Sequence, residues 1–549
     1  MISKTLINNI KKYFIFFVFL VIGSVIFKDY GFNIDEKFHR LNGFYWLNYI
    51  AQYLNLSNLA DLSETKLNTI YGFTLSDINF YNKYGIVFDV PAALLEIFFK
   101  IETPLGFYQL RHFLVFLYFI LGLIFFYKIV SQRFGNENIA ILSVVLFFMI
   151  PRVLGDSFQN TKDIVFMTFM IISIYFALES IKISTKKNII LFSLFAAITT
   201  SLRMFGLCLL VTFILVQLVS IKKNNVKQII LNSFLSLISF IIFLIIVWPL
   251  LWENTLSNFL SYFEILDSYF NSKVFFLGNF YRSDLLPYTY LPFWILISTP
   301  ILHLLLFTFG FIFVSKRVFN RVLEIKENSF FPDFWRSKSE AQDFYIFINF
   351  LLLFLGLIFL NIKFYNSWRI AYFLYFFIIY FSAYTLYIFT FKKKTSSLKS
   401  FLPKSIILVL FVFTIYRIFL YHPYQSYYFN FLVADKIKNN VEVDYTGLSA
   451  IHFLNETIKN DYRNKKIKIG VASWYPLWRM IELTNEKSED KITIVGNKDN
   501  FYADYIYTNR ISDVDTNYNK KYDIPPNFIK FKELIIDGAI IYEVYKRSK

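Results

Sequence analysis

The sequence predicts a polytopic α-helical membrane protein, with about eleven transmembrane helices and a small α/β domain at its C-terminal end. Three observations carry that reading. Of 549 residues, 56% are hydrophobic and only 17% are charged, against about a quarter charged in ordinary soluble chains. The apolar residues come in long uncharged runs, such as Leu191–Leu202 and Phe240–Leu251. After Tyr421 the texture becomes polar, with short alternating apolar runs instead. This composition excludes a disordered or fibrous chain and does not suit a soluble enzyme.

Eleven stretches approach the roughly 20 apolar residues of a bilayer crossing. They lie near 12–30, 111–130, 137–151, 164–182, 188–202, 204–221, 229–251, 291–315, 343–361, 370–391 and 403–421. Lys11-Lys12 precedes the first. That run is long for a signal core and no small-residue cleavage site follows it, so a retained anchor is expected. The 188–221 segment is broken around Arg203 and reads as a tight hairpin with Arg203 at the outer face.

The net charge of +17 sits between the apolar runs. The basic loops are Gln132-Arg133, Lys182 to Lys187, Lys222 to Lys227, Lys316 to Lys338 and Lys392 to Lys399. They alternate with loops poor in Lys and Arg, which puts the N-terminus in the cytoplasm by the positive-inside rule. The expected location is the cell (inner, cytoplasmic) membrane, and nucleic acid is not an expected partner. Cys208 is the single cysteine, which excludes an intrachain disulfide and a cysteine metal cluster.

Two regions follow: a transmembrane domain over 1–421, with outer loops 31–110, 152–163 and 252–290 that should converge on one outer-face pocket, and an extracytoplasmic α/β domain over 422–549. In the second, strands are expected at Lys466–Ala472, Ile492–Val495, Tyr505–Tyr507, Ile529–Ile536 and Ala539–Val544, and a helix over Ser449–Tyr462. Asp537-Gly538 between the last two runs is a hairpin signal. Val87, Val90, Leu94 and Ile97 recur at helical spacing, so a helix should lie on the membrane surface there.

The candidate chemistry lies in the outer loops. Asp35 and Glu36 stand directly after the first span, where carboxylates are costly to keep. They suit a catalytic pair with Asp35 as general base, or equally solvated interfacial charge. Lys162 suits a phosphate, and Asp163 suits a substrate contact, a metal or a helix cap. Arg203 and Arg369, with Tyr365 near the latter, lie at the outer ends of spans. There an arginine binds a lipid-linked phosphate or snorkels to headgroups.

The order of these pieces resembles the GT-C superfamily of integral-membrane glycosyltransferases, particularly bacterial relatives of protein O-mannosyltransferases and lipid A aminoarabinose transferases. The resemblance runs through Asp35-Glu36, Tyr84 to Asp89, Arg111-His112 and Gly155-Asp156-Ser157-Phe158-Gln159-Asn160-Thr161-Lys162-Asp163. It continues in Leu286 to Pro292, His422 to Asn430 and Asp444 to Ser449. Relatives usually carry His where Asp156 and Ile370 stand and Trp where Thr446 stands. The resemblance implies transfer of a sugar from a polyprenyl-phosphate donor on the outer face, with inversion. Asp35 would be the base, and Lys162, Arg203 and Arg369 would hold the phosphate. No cofactor is expected, although some relatives use a divalent metal. The acceptor stays open among glycan, lipid and protein. Two rivals are a transporter or flippase of lipid-linked saccharide, and a non-catalytic envelope assembly protein. The absence of repeated halves and of midplane charge counts against the transporter.

Overall fold

A computed structural model describes residues 4–70, 83–222, 225–268, 273–323, 335, 337–360, 362–392, 398–461, 465–484, 491–511 and 522–548. A helix stands in each of the eleven apolar stretches. Among the described residues, six of these helices are long and apolar enough to cross a membrane, or seven when the pair Glu137–Phe148 and Pro151–Gln159, bent by 69°, counts as one span. That is fewer than the eleven expected. Several helices in the expected stretches are short, such as the 13 residues of Leu207–Val219 and of Leu374–Leu386. The chain is a multi-pass membrane protein.

The bundle is organised around the Asp163–Lys182 helix, which packs on Pro104–Phe134 and Lys186–Leu202 and is buried along most of its length. Val226–Val247 and Lys404–Tyr421 lie outside and expose most of their apolar residues, as lipid-facing helices do. Helix ends follow local chemistry. Pro104 opens its helix behind the Thr103 cap, and Gly135 closes it in the left-handed conformation. At Arg203 the backbone turns extended, with φ −153°, and ends the Lys186–Leu202 helix. A short turn at Met204–Gly206 then reverses the chain, as the hairpin reading expected.

The outer segments are more structured than loops. Residues 31–110 hold the helices Ile34–Tyr53, Ser57–Asn68 and Asp89–Phe98, the last where a surface helix was expected. Residues 152–163 are mostly the helix Pro151–Gln159, buried throughout. Residues 252–290 hold the helix Thr255–Ser268 and an antiparallel hairpin of β1 (Lys273–Phe276) and β2 (Asn279–Arg282).

Beyond Tyr421 the chain forms a five-stranded mixed sheet. Its strands are β3 (Ile467–Val471), β4 (Ile492–Ile494), β5 (Tyr505–Thr508), β6 (Phe528–Ile536) and β7 (Ala539–Arg547). The spatial order is β4-β3-β5-β7-β6, with β3 parallel to β4 and β5, and β7 antiparallel to β5 and β6. Asp537 and Gly538 both take positive φ at the β6–β7 turn, as a tight hairpin turn requires. The helix Ala450–Asn460 lies where one was expected. The region is tied to the first outer segment by Ile34 N–H to the Thr446 carbonyl, 3.1 Å, and by Lys37 to Glu482, 3.3 Å.

Gly310 marks the closest helix approach with a clear consequence. A Cβ there would collide with the backbone carbonyl of Phe381 on the neighbouring helix, whereas a Cβ at Gly356 meets only Leu360 Cδ1 at 3.7 Å. Gly310→Ala should therefore lower stability by about 1–3 kcal/mol. Gly356→Ala should be neutral or gain up to about 1 kcal/mol from helix propensity. Thermal unfolding of both variants in detergent checks this; equal transition temperatures would contradict the packing.

Candidate active site

The local chain around Asp35 explains what each of the paired carboxylates does. Asn33 caps the Ile34–Tyr53 helix: its side chain accepts the Asp35 N–H at 3.0 Å, and Glu36 reaches back to the Asn33 N–H at 2.8 Å. This reciprocal capping box turns Glu36 inward. There its carboxylate meets His112 Nε2 at 3.0 Å and is buried. Adjacent positions on a helix point about 100° apart. Asp35 is therefore turned outward, with 41% of its side chain exposed. The structure thus separates the pair expected to act together: Glu36 is a capping residue away from the cavity.

A cavity of about 360 Å³ opens where Asp35 points. Its walls include Asp35, Lys162, Asp163, Arg203, Tyr365 and Arg369, six of the seven residues singled out from the sequence. The seventh is Glu36. Asn160 sets one wall, accepting the Asp163 N–H at 2.9 Å while its amide donates to Asp156 and Asp163, each at 3.0 Å. Asn33 donates to Gln159 at 2.5 Å, which joins the first outer segment to the end of the Pro151–Gln159 helix.

Charge pairs hold the rest. Arg203 Nη2 is ion-paired with Asp163 Oδ1. Arg369 Nη2 is ion-paired with Asp35 Oδ2, and its Nε lies 3.9 Å from Asp163 Oδ2. The Nε–H of each arginine is buried without a hydrogen-bond partner among the described residues. Lys162 Nζ lies over the Tyr84 ring, 2.8 Å from its centre. Burial pushes its pKa well below the ordinary lysine value, and Arg203 pushes the same way against the pull of Asp163 and Asp35. Tyr365, Tyr445 and Trp474 follow one another with ring centres 5.8 Å apart.

One expectation about the walls changes. Residues 252–290 were expected to converge here, yet none of the described residues among them lines the cavity; Tyr262 instead packs edge-on against Tyr84. In their place stand Trp474, Pro476 and Arg479 of the C-terminal region, which sequence reasoning missed. Their proximity comes from docking of that region on the Ile34–Tyr53 helix through Lys37 and Glu482, and no short-range pattern announces it. Of the other motif residues, Tyr84, Gln159, Asn160 and Thr161 also line the cavity, whereas Asp89 and Arg111 are held in internal contacts. Asp89 accepts from Asn42 at 2.6 Å and lies 3.2 Å from His39 Nδ1. Arg111 and Arg40 clamp the buried Glu96 at 2.7 and 2.6 Å. Among the described residues, no three His, Cys, Asp or Glu side chains converge as a metal site would need.

Residues 88–252 match the family model of dolichyl-phosphate-mannose-protein mannosyltransferases. The GT-C resemblance read from the sequence stands on that match, which spans Arg111-His112, the Gly155 to Asp163 segment and Arg203. No curated protein matches the chain. Among solved structures, the archaeal oligosaccharyltransferase AglB from Archaeoglobus fulgidus, in complex with an inhibitory peptide and a dolichol-phosphate, is similar with a TM-score of 0.46 and 11% identity, over 91% of this chain and 70% of that one. The arabinofuranosyltransferase AftD from Mycobacteria is similar with a TM-score of 0.37 and 10% identity, over 85% of this chain and 35% of that one. The family match and the apolar helices support a membrane glycosyltransferase.

The lowered Lys162 pKa has a measurable sign. An ammonium is charged below its pKa, so a phosphate probe should lose affinity as pH rises through a range below that of ordinary lysine. Loss of one such charged contact is worth about tenfold in Kd. Lys162→Arg stays charged throughout, and its affinity should remain flat over the same range. Titration of a short polyprenyl phosphate at several pH values reads both; a flat wild-type profile would contradict the assignment.

Proposed function

We propose that the protein transfers a sugar from a polyprenyl-phosphate-linked donor to an acceptor hydroxyl at the outer face of the cytoplasmic membrane, with inversion. The observation that carries this reading is the single cavity in which an exposed carboxylate, Asp35, faces Lys162, Arg203 and Arg369. A displacement at a sugar phosphate needs these two things: a base for the incoming hydroxyl and fixed cations for the departing phosphate.

In the proposed reaction the acceptor oxygen attacks the anomeric carbon from the face opposite the phosphate. The bond from that carbon to the phosphate oxygen breaks, and its electron pair leaves with the polyprenyl phosphate. The acceptor proton passes to the Asp35 carboxylate. The leaving group gains a negative charge, which Lys162, Arg203 and Arg369 neutralise, with Asp163 fixing the two guanidinium groups. Tyr365 borders the same space, its ring 5.4 Å from the Arg369 guanidinium carbon.

The proposed membrane arrangement has eleven spans, a cytoplasmic N-terminus and residues 422–549 outside. It is supported by the alternation of basic loops and by the cavity lying among the segments expected outside. A reporter active only in the cytoplasm, fused after Lys549, should be silent; strong activity there would require an even number of crossings.

Asp35→Asn keeps the size and the contact with Arg369 but removes the basic oxygen. Transfer should fall by roughly 10²–10⁴, with polyprenyl phosphate binding retained. Glu36→Gln keeps an acceptor for the Asn33 N–H and should transfer within about threefold of wild type, because loss of one internal hydrogen bond is worth only about 1 kcal/mol in stability. The measurement is transfer from radiolabelled polyprenyl-phosphate sugars by purified protein with membrane extract. Full transfer by a folded Asp35→Asn variant would remove Asp35 as the base.

A further inference from the structure

A second cavity, of about 230 Å³, lies apart from the one that holds Asp35 and shares no lining residue with it. It forms where the β1–β2 hairpin, residues 441–443 and the chain just after β5 meet. Hydrogen bonds fasten this junction. The Glu442 N–H donates to the Phe275 carbonyl at 3.1 Å, a Glu442 carboxyl oxygen accepts the Phe275 N–H at 3.1 Å, and the Gly278 N–H donates to the Asn440 carbonyl at 2.9 Å. The volume is below the roughly 300–1,000 Å³ of pockets for drug-sized ligands, so the cavity suits one small unit.

Its walls carry three kinds of chemistry. Glu442 is buried, with 5% of its surface exposed, and its second carboxyl oxygen, Oε2, has no hydrogen-bond partner among the described residues. Burial pushes the Glu442 pKa up to about 8, so near neutral pH this carboxyl is mostly uncharged and both accepts and donates. Lys273 and Arg510 then leave the walls net positive. Arg510 takes positive φ, 62°, a conformation that costs a residue with a Cβ about 1–2 kcal/mol and that clusters at ligand clamps. Asn439 steadies its guanidinium, accepting at 3.2 Å through the carbonyl and at 3.5 Å through the side chain. The third element is aromatic: the Phe275 and Phe280 rings lie 4.9 Å apart, and Lys273 Nζ lies 5.9 Å from the Phe280 ring centre.

A simple anion would leave the aromatic pair and Glu442 unused, and a neutral sugar would leave the two cations unused. We propose that this cavity is a second carbohydrate site, which takes an anionic monosaccharide unit. The anionic group lies between Lys273 and Arg510, where charge-assisted hydrogen bonds are strongest. A ring hydroxyl bonds to Glu442, and the apolar face of the ring rests on Phe280. The proposal is independent of the transfer reading, because this cavity involves none of Asp35, Lys162, Arg203 and Arg369. It also gives the hairpin of the 252–290 segment, which contributes no wall to the first cavity, a ligand-binding role of its own.

The test is a saturation-transfer NMR titration of the protein in detergent with galacturonic acid, galactose and digalacturonic acid, with thermal unfolding of each variant alongside. Galacturonic acid should bind saturably, and galactose, which lacks only the charge, about tenfold more weakly. Lys273→Gln and Arg510→Gln, both changes of partly or fully exposed side chains, should each weaken galacturonic acid about tenfold. Glu442→Met removes one hydrogen bond at similar volume and should weaken it about fivefold. Binding of digalacturonic acid at least as tight as that of the monomer assigns the unit to a glycan chain; exclusion of the dimer assigns it to a free sugar acid. No saturable binding by the wild type, galactose binding as tightly as galacturonic acid, or full binding by folded Lys273→Gln and Arg510→Gln variants would each overturn the proposal. None of these outcomes bears on transfer at Asp35, which is measured separately.

Discussion

The arrangement around the cavity depends on one buried arginine. Arg369 is ion-paired with Asp35 and approaches Asp163, which is itself paired with Arg203. These four groups come from four separate stretches: the first outer segment, the start of the central helix, the break at Arg203 and the turn after Asn366. A guanidinium buried at a membrane edge is tolerable only with carboxylates beside it, and removing one partner of such a pair typically costs about 3–5 kcal/mol. Electrostatics therefore fixes the relative position of stretches that the hydrophobic effect cannot order, because lipid and protein are equally apolar around them.

Much of this was legible in the sequence because bilayers punish misplaced charge. Arg203 and Arg369 were visible as charges interrupting or ending apolar runs, and Lys162-Asp163 as charge at the head of one. Burial energetics forces such residues towards one another or towards water. The β6–β7 hairpin was visible at Asp537-Gly538 because few residue pairs accept the turn's positive φ.

The structure places the two adjacent carboxylates differently. Asp35-Glu36 looks like a pair, yet the spacing that matters is Asn33 to Glu36, a capping signature three residues apart. It assigns Glu36 to the helix end and leaves Asp35 alone at the cavity. Pro151 likewise marks a helix start where a loop was expected. The contribution of Trp474, Pro476 and Arg479 was not legible at all. It arises from contacts spanning more than 400 residues of sequence, such as Lys37 to Glu482, and nothing local to residues 474–479 encodes its partner.

The pairing pattern also bears on how such a site would favour a transition state over bound donor. Arg203 and Arg369 each use Nη2 for their carboxylate. Donor phosphate carries less charge than the phosphate that departs. In the proposed reaction, contacts to these guanidinium groups would strengthen as the bond to the anomeric carbon breaks, and binding that grows along the reaction lowers the barrier rather than only the ground state. On that proposal Asp163 would do more than neutralise. By holding Arg203, and standing 3.9 Å from Arg369 Nε, it keeps both cations fixed before the charge appears, so no reorganisation is needed when it does.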